Sequence, residues 1–149
     1  MTPRISVIIP THNRPDQLRR CLESLTHQSL RRHEYEVVVV DDGSARPLDD
    51  VVAPFRQRLQ IVLYRQQRSG PGPARNTGAQ YARARWIAFT DDDCQSDRNW
   101  LKALVDCLER HNNAIVGGRI LNALVGNVFA ATSQLLVAHL YEYFNGDPL

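Results

Sequence analysis

Lysine is almost missing from this 149-residue chain: among 18 basic residues Lys102 is the single lysine, and all the others are arginine. A phospho-acceptor receiver domain, which needs a lysine downstream of its strand-end acids, is disfavoured, because Lys102 falls in the middle of a predicted helix. Cysteine is scarce too. Cys21, Cys94 and Cys107 are odd in number and lack CxxC spacing, which excludes a disulfide framework and a structural zinc site and fits a reducing cytoplasm. Cys21 and Cys107 fall on apolar helix stripes, and Cys94, a soft ligand beside hard oxygens, is read as packing. The five histidines form no HExxH or other ligand spacing, and only His12 falls near the acids discussed below. A net charge of +2, with basic residues scattered along the chain, gives no footprint for nucleic acid.

Long apolar runs are also lacking. The N-terminus, MTPRISVIIP, has neither the h-region nor the cleavage pattern of a signal peptide. Residues 123–141 are long enough to span a bilayer but carry Asn127, Thr132, Ser133, Gln134 and His139, so an interfacial or core helix is expected there. No repeat, low-complexity tract or linker breaks the chain, and its length suits one domain over residues 1–149.

What is present is acid at the ends of apolar runs. The stretch WIAFTDDDC, residues 86–94, delivers Asp91, Asp92 and Asp93 into a turn, and YEVVVVDDGS, residues 35–44, ends in Asp41 and Asp42. Taken alone, the triple acid has two readings: a hard-metal site for Mg²⁺ or Mn²⁺, or a solvated turn favoured by the dipole of the following helix. Two such strand ends suggest one shared edge, since ligands of parallel α/β sheets sit beyond the carboxyl ends of the strands.

Periodicity predicts strands at residues 5–10, 36–40, 60–64, 86–90 and 114–116. Helices are expected from Pro15 onward, loosely over 48–58, over 74–83 beyond a breaking Gly-Pro-Gly-Pro cluster, after a cap at Ser96 or Asp97, and over 123–143. This alternation predicts an α/β fold with a mostly parallel sheet flanked by helices.

Four blocks in order, SVIIPTHNRP (6–15), VVVVDDGS (37–44), GPGPARNTGA (70–79) and FTDDDC (89–94), resemble the N-terminal half of a family 2 glycosyltransferase of the GT-A fold, over roughly residues 4–120. The resemblance implies a nucleotide-diphospho-sugar transferase-like domain, truncated on its C-terminal side. It implies an inverting transferase that moves a sugar from a nucleoside-diphosphate donor, a UDP-sugar first, to an acceptor hydroxyl with Mg²⁺ or Mn²⁺. Carried over by position, Pro10 and Thr11 line the base and ribose, Asn13 lies just behind them, and Asp42 hydrogen-bonds the base edge. Asp91 and Asp93 match the outer acids of a DxD motif, with Asp93 the direct metal ligand and Asp91 facing ribose or metal. Asp92 joins them on the nucleotide, as do Arg75 and Asn76 of the ARN element.

The implied partners are the nucleotide sugar and a saccharide or lipid-linked acceptor of polysaccharide biosynthesis, with no nucleic acid. A cytoplasmic location extending to the inner face of the membrane follows, with peripheral membrane association and self-association through the C-terminal helix. Such families place acceptor site and catalytic base after the DxD, so the base is expected outside this chain, and nothing casts Glu142 or Asp147 in that role. The alternatives are a non-catalytic nucleotide-binding module and a dinucleotide-dependent oxidoreductase. The latter is disfavoured because THNRPD, not G-x-G-x-x-G, follows the first strand.

Overall fold

The computed structural model describes residues 2–111, 114–123 and 126–145. Four strands, β1 (Ile5–Thr11), β2 (Tyr35–Asp42), β3 (Ile61–Gln66) and β4 (Trp86–Phe89), form a parallel sheet in the order β3-β2-β1-β4. Every residue of β1 and β2 is buried, which is why both read as unbroken β-branched runs rather than alternating ones. Along the chain, β2 and β3 add on one side of β1 and β4 on the other. The direction of winding therefore reverses at β1, and the crevice between the carboxyl ends of β1 and β4 is the topological switch point.

One face of the sheet carries the larger core. Ile5, Val7, Ile9, Val37 and Val39 meet Leu18, Cys21, Leu22 and Leu25 of α1 (Pro15–Thr26) and Leu101 and Val105 of α4 (Trp100–Arg110). The other face is closed by α3 (Pro71–Tyr81), where Ala74 packs with Ile8, Val38 and Val40. The approach is close because Gly78 has no side chain: a Cβ there would lie 2.3 Å from Ile8 Cγ2 and 3.2 Å from Val40 Cγ2.

At the opposite, amino end of the strands Glu36 is buried as an ion. Its carboxylate accepts Ser6 Oγ at 2.6 Å, Arg83 N at 2.7 Å and Arg83 Nε at 2.7 Å. Burial alone would raise its pKa, but these bonds outweigh it and hold Glu36 below the ordinary carboxylate value. The node pins the turn between α3 and β4 and orients the strand that delivers the acids.

Several elements differ from expectation. Residues 48–58 form one α-turn, α2 (Asp49–Val52), and a 3₁₀ turn (Ala53–Phe55), since Pro54 has no N–H to continue the α-helix. The Gly-Pro-Gly-Pro cluster is no breaker. Gly70, at φ 94°, is the N-cap of α3 and Pro71 opens its first turn, where a missing N–H costs nothing. The helix expected from Ser96 or Asp97 begins at Trp100 instead, behind Asn99. Residues 114–116 are not a strand, and Ile115 is fully exposed.

The chain divides into two compact units, Met1–Val116 and Gly117–Leu149. The second holds α5 (Val128–Asn145), along which Leu135, Leu136, Val137 and Leu140 are exposed. Gln134 Nε2 of α5 donates to the Ile120 carbonyl at 2.8 Å. Leu124 and Asp147 lie outside the described residues. Among the described residues no helix is long and apolar enough to cross a membrane.

Candidate functional site

Beyond the carboxyl ends of the strands lies a cleft of ≈ 380 Å³, to which β1 contributes Pro10 and Thr11, β2 contributes Asp42, α3 contributes Pro71 and Arg75, and the turn after β4 contributes Asp91, Asp92 and Asp93. His12 and Arg14 complete its lining. The cleft thus gathers residues far apart in sequence at the switch point, where this class of sheet binds ligands.

Asp42 is buried, and its carboxylate is met by three donors. Oδ1 accepts Gln66 Nε2 at 2.7 Å and Ser69 N at 2.8 Å, while Oδ2 accepts Gly70 N at 2.7 Å. Burial pushes its pKa up, but the three bonds prevail and keep it below the ordinary aspartate value. A carboxylate offers about four acceptor positions, so about one remains for a ligand. Asp42 therefore also organises the loop that starts α3.

The triple acid makes a turn closed by Cys94 N donating to the Asp91 carbonyl at 3.2 Å. Its middle member faces inward: Asp92 is 4% exposed and accepts Thr11 Oγ1 at 2.7 Å, which locks the turn to the end of β1. The flanking acids face solvent. Asp91 pairs with Arg75, and Asp93 accepts Arg14 Nη1 at 3.2 Å. From beneath, the Cys21 thiol donates to the Asp91 carbonyl at 3.6 Å, and burial in the core pushes that thiol up to about 12. Ser24 of α1 and Gln28, two residues beyond the helix end, extend this support, accepting Ser96 N at 3.0 Å and Leu101 N at 3.0 Å respectively. One N–H at the amino end of α4 is thereby satisfied by a side chain from the segment that follows α1.

Of the residues expected at the site, Pro10, Thr11, Asp42, Arg75, Asp91, Asp92 and Asp93 line one cleft, whereas Asn13 and Asn76 do not. Asn13 takes the left-handed conformation at φ 55° and acts as a clip: its N–H donates to Ser44 Oγ at 2.9 Å, and its Oδ1 accepts Ala45 N at 2.8 Å. Asn76 is exposed on α3. Arg14 was not anticipated, because its carboxylate partners lie 78 and 79 residues away in sequence. His12 Nδ1–H donates to the Asp42 carbonyl at 2.8 Å and Nε2 accepts from Asn13 at 3.0 Å, a pairing that selects one tautomer. Asp41 turns to the other face, where its Oδ1 accepts Ser44 N at 2.9 Å and its buried Oδ2 has no hydrogen-bond partner.

Among the described residues no three His, Cys, Asp or Glu side chains form a metal-holding cluster. That is compatible with Mg²⁺ or Mn²⁺ of the diphosphate-binding kind, which takes one or two carboxylates and completes its shell with phosphate oxygens and water. The donor chemistry fits: Asp91 and Asp93 present hard carboxylate oxygens, 55% and 56% exposed, on one cleft.

The sequence model of glycosyl transferase family 2 matches residues 6–147. The chain belongs to this family. It is 33% identical over 121 residues to glycosyltransferase AglE of Haloferax volcanii, covering 79% of this chain and 40% of that protein. Among solved structures, Staphylococcus aureus TarS in complex with UDP-GlcNAc superposes with a TM-score of 0.70 at 27% identity, over 83% of this chain and 38% of that one. The mannosyltransferase PcManGT of Pyrobaculum calidifontis, in complex with GDP-Man and Mn²⁺, does so at 0.64 and 27%, over 78% of this chain and 34% of that one. The fold is accordingly GT-A, and the family's reaction is sugar transfer from a nucleotide sugar. The chain spans 34–40% of the length of these relatives.

Proposed function

We propose that the cleft is the donor site of an inverting glycosyltransferase and binds a nucleoside diphosphate sugar, UDP-linked in the first instance, with Mn²⁺ or Mg²⁺. The observation that carries this is the convergence of Asp42, Asp91, Asp92 and Asp93 with Arg14 and Arg75 on one cleft at the switch point. Pro10 and Thr11 form the wall for base and ribose. The free acceptor position of Asp42 takes the imide N–H of uracil, a charge-assisted bond that a neutral acceptor makes more weakly. Asp93 is the direct metal ligand, and Asp91, once released by Arg75, faces ribose or metal. The released Arg75 then turns to phosphate, which its planar fork suits. Asn13 acts from behind, by fixing the loop after β1.

Asp93 and Asp91 would hold a divalent ion there, which would supply charge neutralisation for the leaving diphosphate. The acceptor hydroxyl attacks the anomeric carbon on the face opposite that diphosphate and gives its proton to a base. Each of the four carboxylates of the cleft already has a task in this reading, Asp42 on the base, Asp91 and Asp93 toward ribose and metal, and Asp92 on Thr11, so none of them is assigned as this proton acceptor. The acceptor is a saccharide or a lipid-linked saccharide of polysaccharide synthesis, reached at the cytoplasmic face of a membrane.

Calorimetric titration with UDP, GDP and dTDP, each with and without Mn²⁺, tests the proposal. Tightest binding is expected for UDP with Mn²⁺. Affinity indifferent to both base and metal would refute the donor-site assignment.

A further inference from the structure

We infer that Arg14 is a resident cation of the donor cleft, holding Asp93 until a nucleoside diphosphate draws its guanidinium away, so that divalent-metal binding is conditional on the nucleotide. The inference rests on the donor-site proposal and concerns the order in which that site fills.

Arg14 occupies the N-cap position of α1, yet its side chain makes no capping bond. It reaches instead across the cleft, where a single nitrogen, Nη1, lies 3.3 Å from Asp92 Oδ1 and 3.2 Å from Asp93 Oδ2. One nitrogen shared between two carboxylates at these lengths lacks the parallel, two-bond geometry of a strong arginine–carboxylate pair. It is a contact made to be exchanged.

The two acids would part from it differently. Asp92 is buried and keeps its 2.7 Å bond from Thr11 if Arg14 leaves. Asp93 is 56% exposed, and the other contact shown for it is the weak Cys94 thiol donor at 3.9 Å. Removing Arg14 therefore frees Asp93, the proposed metal ligand, while the turn stays fixed to β1.

Charge decides the sequence of events. The four carboxylates and two guanidiniums of the cleft leave two negative charges, and without Arg14 there are three. A bare divalent ion must compete with the guanidinium for Asp93, whereas a diphosphate offers that guanidinium a better, bidentate partner. Nucleotide binding thus uncovers the metal ligand, and by linkage the metal tightens the nucleotide by the same factor.

The test is Mn²⁺ binding to the whole chain, read from the electron paramagnetic resonance of free Mn²⁺, without and with saturating UDP. Arg14→Gln is expected to bind Mn²⁺ alone about two- to fivefold more tightly, the scale of one half-exposed ion pair. It should bind UDP with Mn²⁺ roughly ten- to 150-fold more weakly, the scale of a lost charged hydrogen bond. The coupling between the two ligands shrinks accordingly. Arg14→Lys, which keeps the charge without the fork, should fall between, and it carries the test should the glutamine variant lack the parent's circular dichroism. In the Arg14→Gln background Asp93→Ala should abolish the gain in Mn²⁺ affinity.

Parental Mn²⁺ affinity and undiminished coupling in both Arg14 variants would overturn this inference alone. A parent chain that binds no UDP with Mn²⁺ would overturn the donor-site proposal and this inference with it.

Discussion

Asp42→Asn separates the two tasks assigned to this side chain, because the structure fixes what the amide can and cannot replace. In the best orientation the amide oxygen takes the place of Oδ1 and keeps the bonds from Gln66 and Ser69, now to a neutral acceptor. The amide nitrogen then stands where Oδ2 accepted Gly70 N at 2.7 Å, so two donors face each other at the start of α3. One part-buried N–H left unsatisfied costs about 1–3 kcal/mol. For a domain of this size that lowers the melting temperature by roughly 2–12 °C.

The same change removes the acceptor proposed for the base, so UDP affinity with Mn²⁺ should fall by about 1.5–3 kcal/mol, or roughly ten- to 150-fold. Mn²⁺ affinity in the absence of nucleotide should not move, since Asp42 is not a proposed ligand. Acid behaviour gives a third readout. The folded-state pKa of Asp42 lies below its ordinary value of 3.8, so its stabilisation is present above that value and is lost as pH falls through the lower, folded one. The variant lacks this part of the acid limb. Thermal melts between pH 2 and 7 and calorimetry with UDP measure all three. Parental melting temperature together with parental UDP affinity would refute both roles.

Gly78→Ala forces a methyl to within 2.3 Å of Ile8 Cγ2, on a fully buried β-branched side chain that cannot swing away. Overpacking of this kind costs about 1–3 kcal/mol, and chemical denaturation with an unchanged m-value measures it. Cys21, buried with its thiol pushed up to about 12, should resist iodoacetamide at pH 8 until the chain unfolds, whereas labelling of the native protein would contradict its place beneath the acidic turn. The exposed Leu135, Leu136, Val137 and Leu140 of α5 should drive self-association, and Leu136→Glu should suppress it in analytical ultracentrifugation. A parent chain that stays monomeric at high concentration would exclude that surface.

Much of this layout was legible in the sequence. Unbroken β-branched runs announce strands buried on both faces, Pro15 marks the first turn of α1, and acids closing two such runs point to one edge of a parallel sheet. Misreadings arose where one residue type serves opposite purposes. Proline ends the α-turn at Pro54 yet opens α3 at Pro71, and only the backbone around it distinguishes the two. Residues 114–116 have the composition of a strand, but a strand also needs a ladder partner, which local sequence does not supply. At the site, pattern located the acids but not their hydrogen-bond and ion-pair partners. The pairings Arg14–Asp93, Thr11–Asp92 and Gln66–Asp42 depend on strand order and loop path, and these long-range contacts leave no periodic trace.

The central claim, a metal-assisted nucleoside-diphosphate site formed by the turn after β4, is tested most directly by locating the metal. Crystals grown with UDP and MnCl₂ and measured at the manganese edge should show one anomalous peak bonded to Asp93 and to diphosphate oxygens, with the uracil against Asp42. The peak should vanish in Asp93→Ala crystals grown in the same way. Manganese bound elsewhere on the chain, or a peak that persists without the Asp93 carboxylate, would contradict the account.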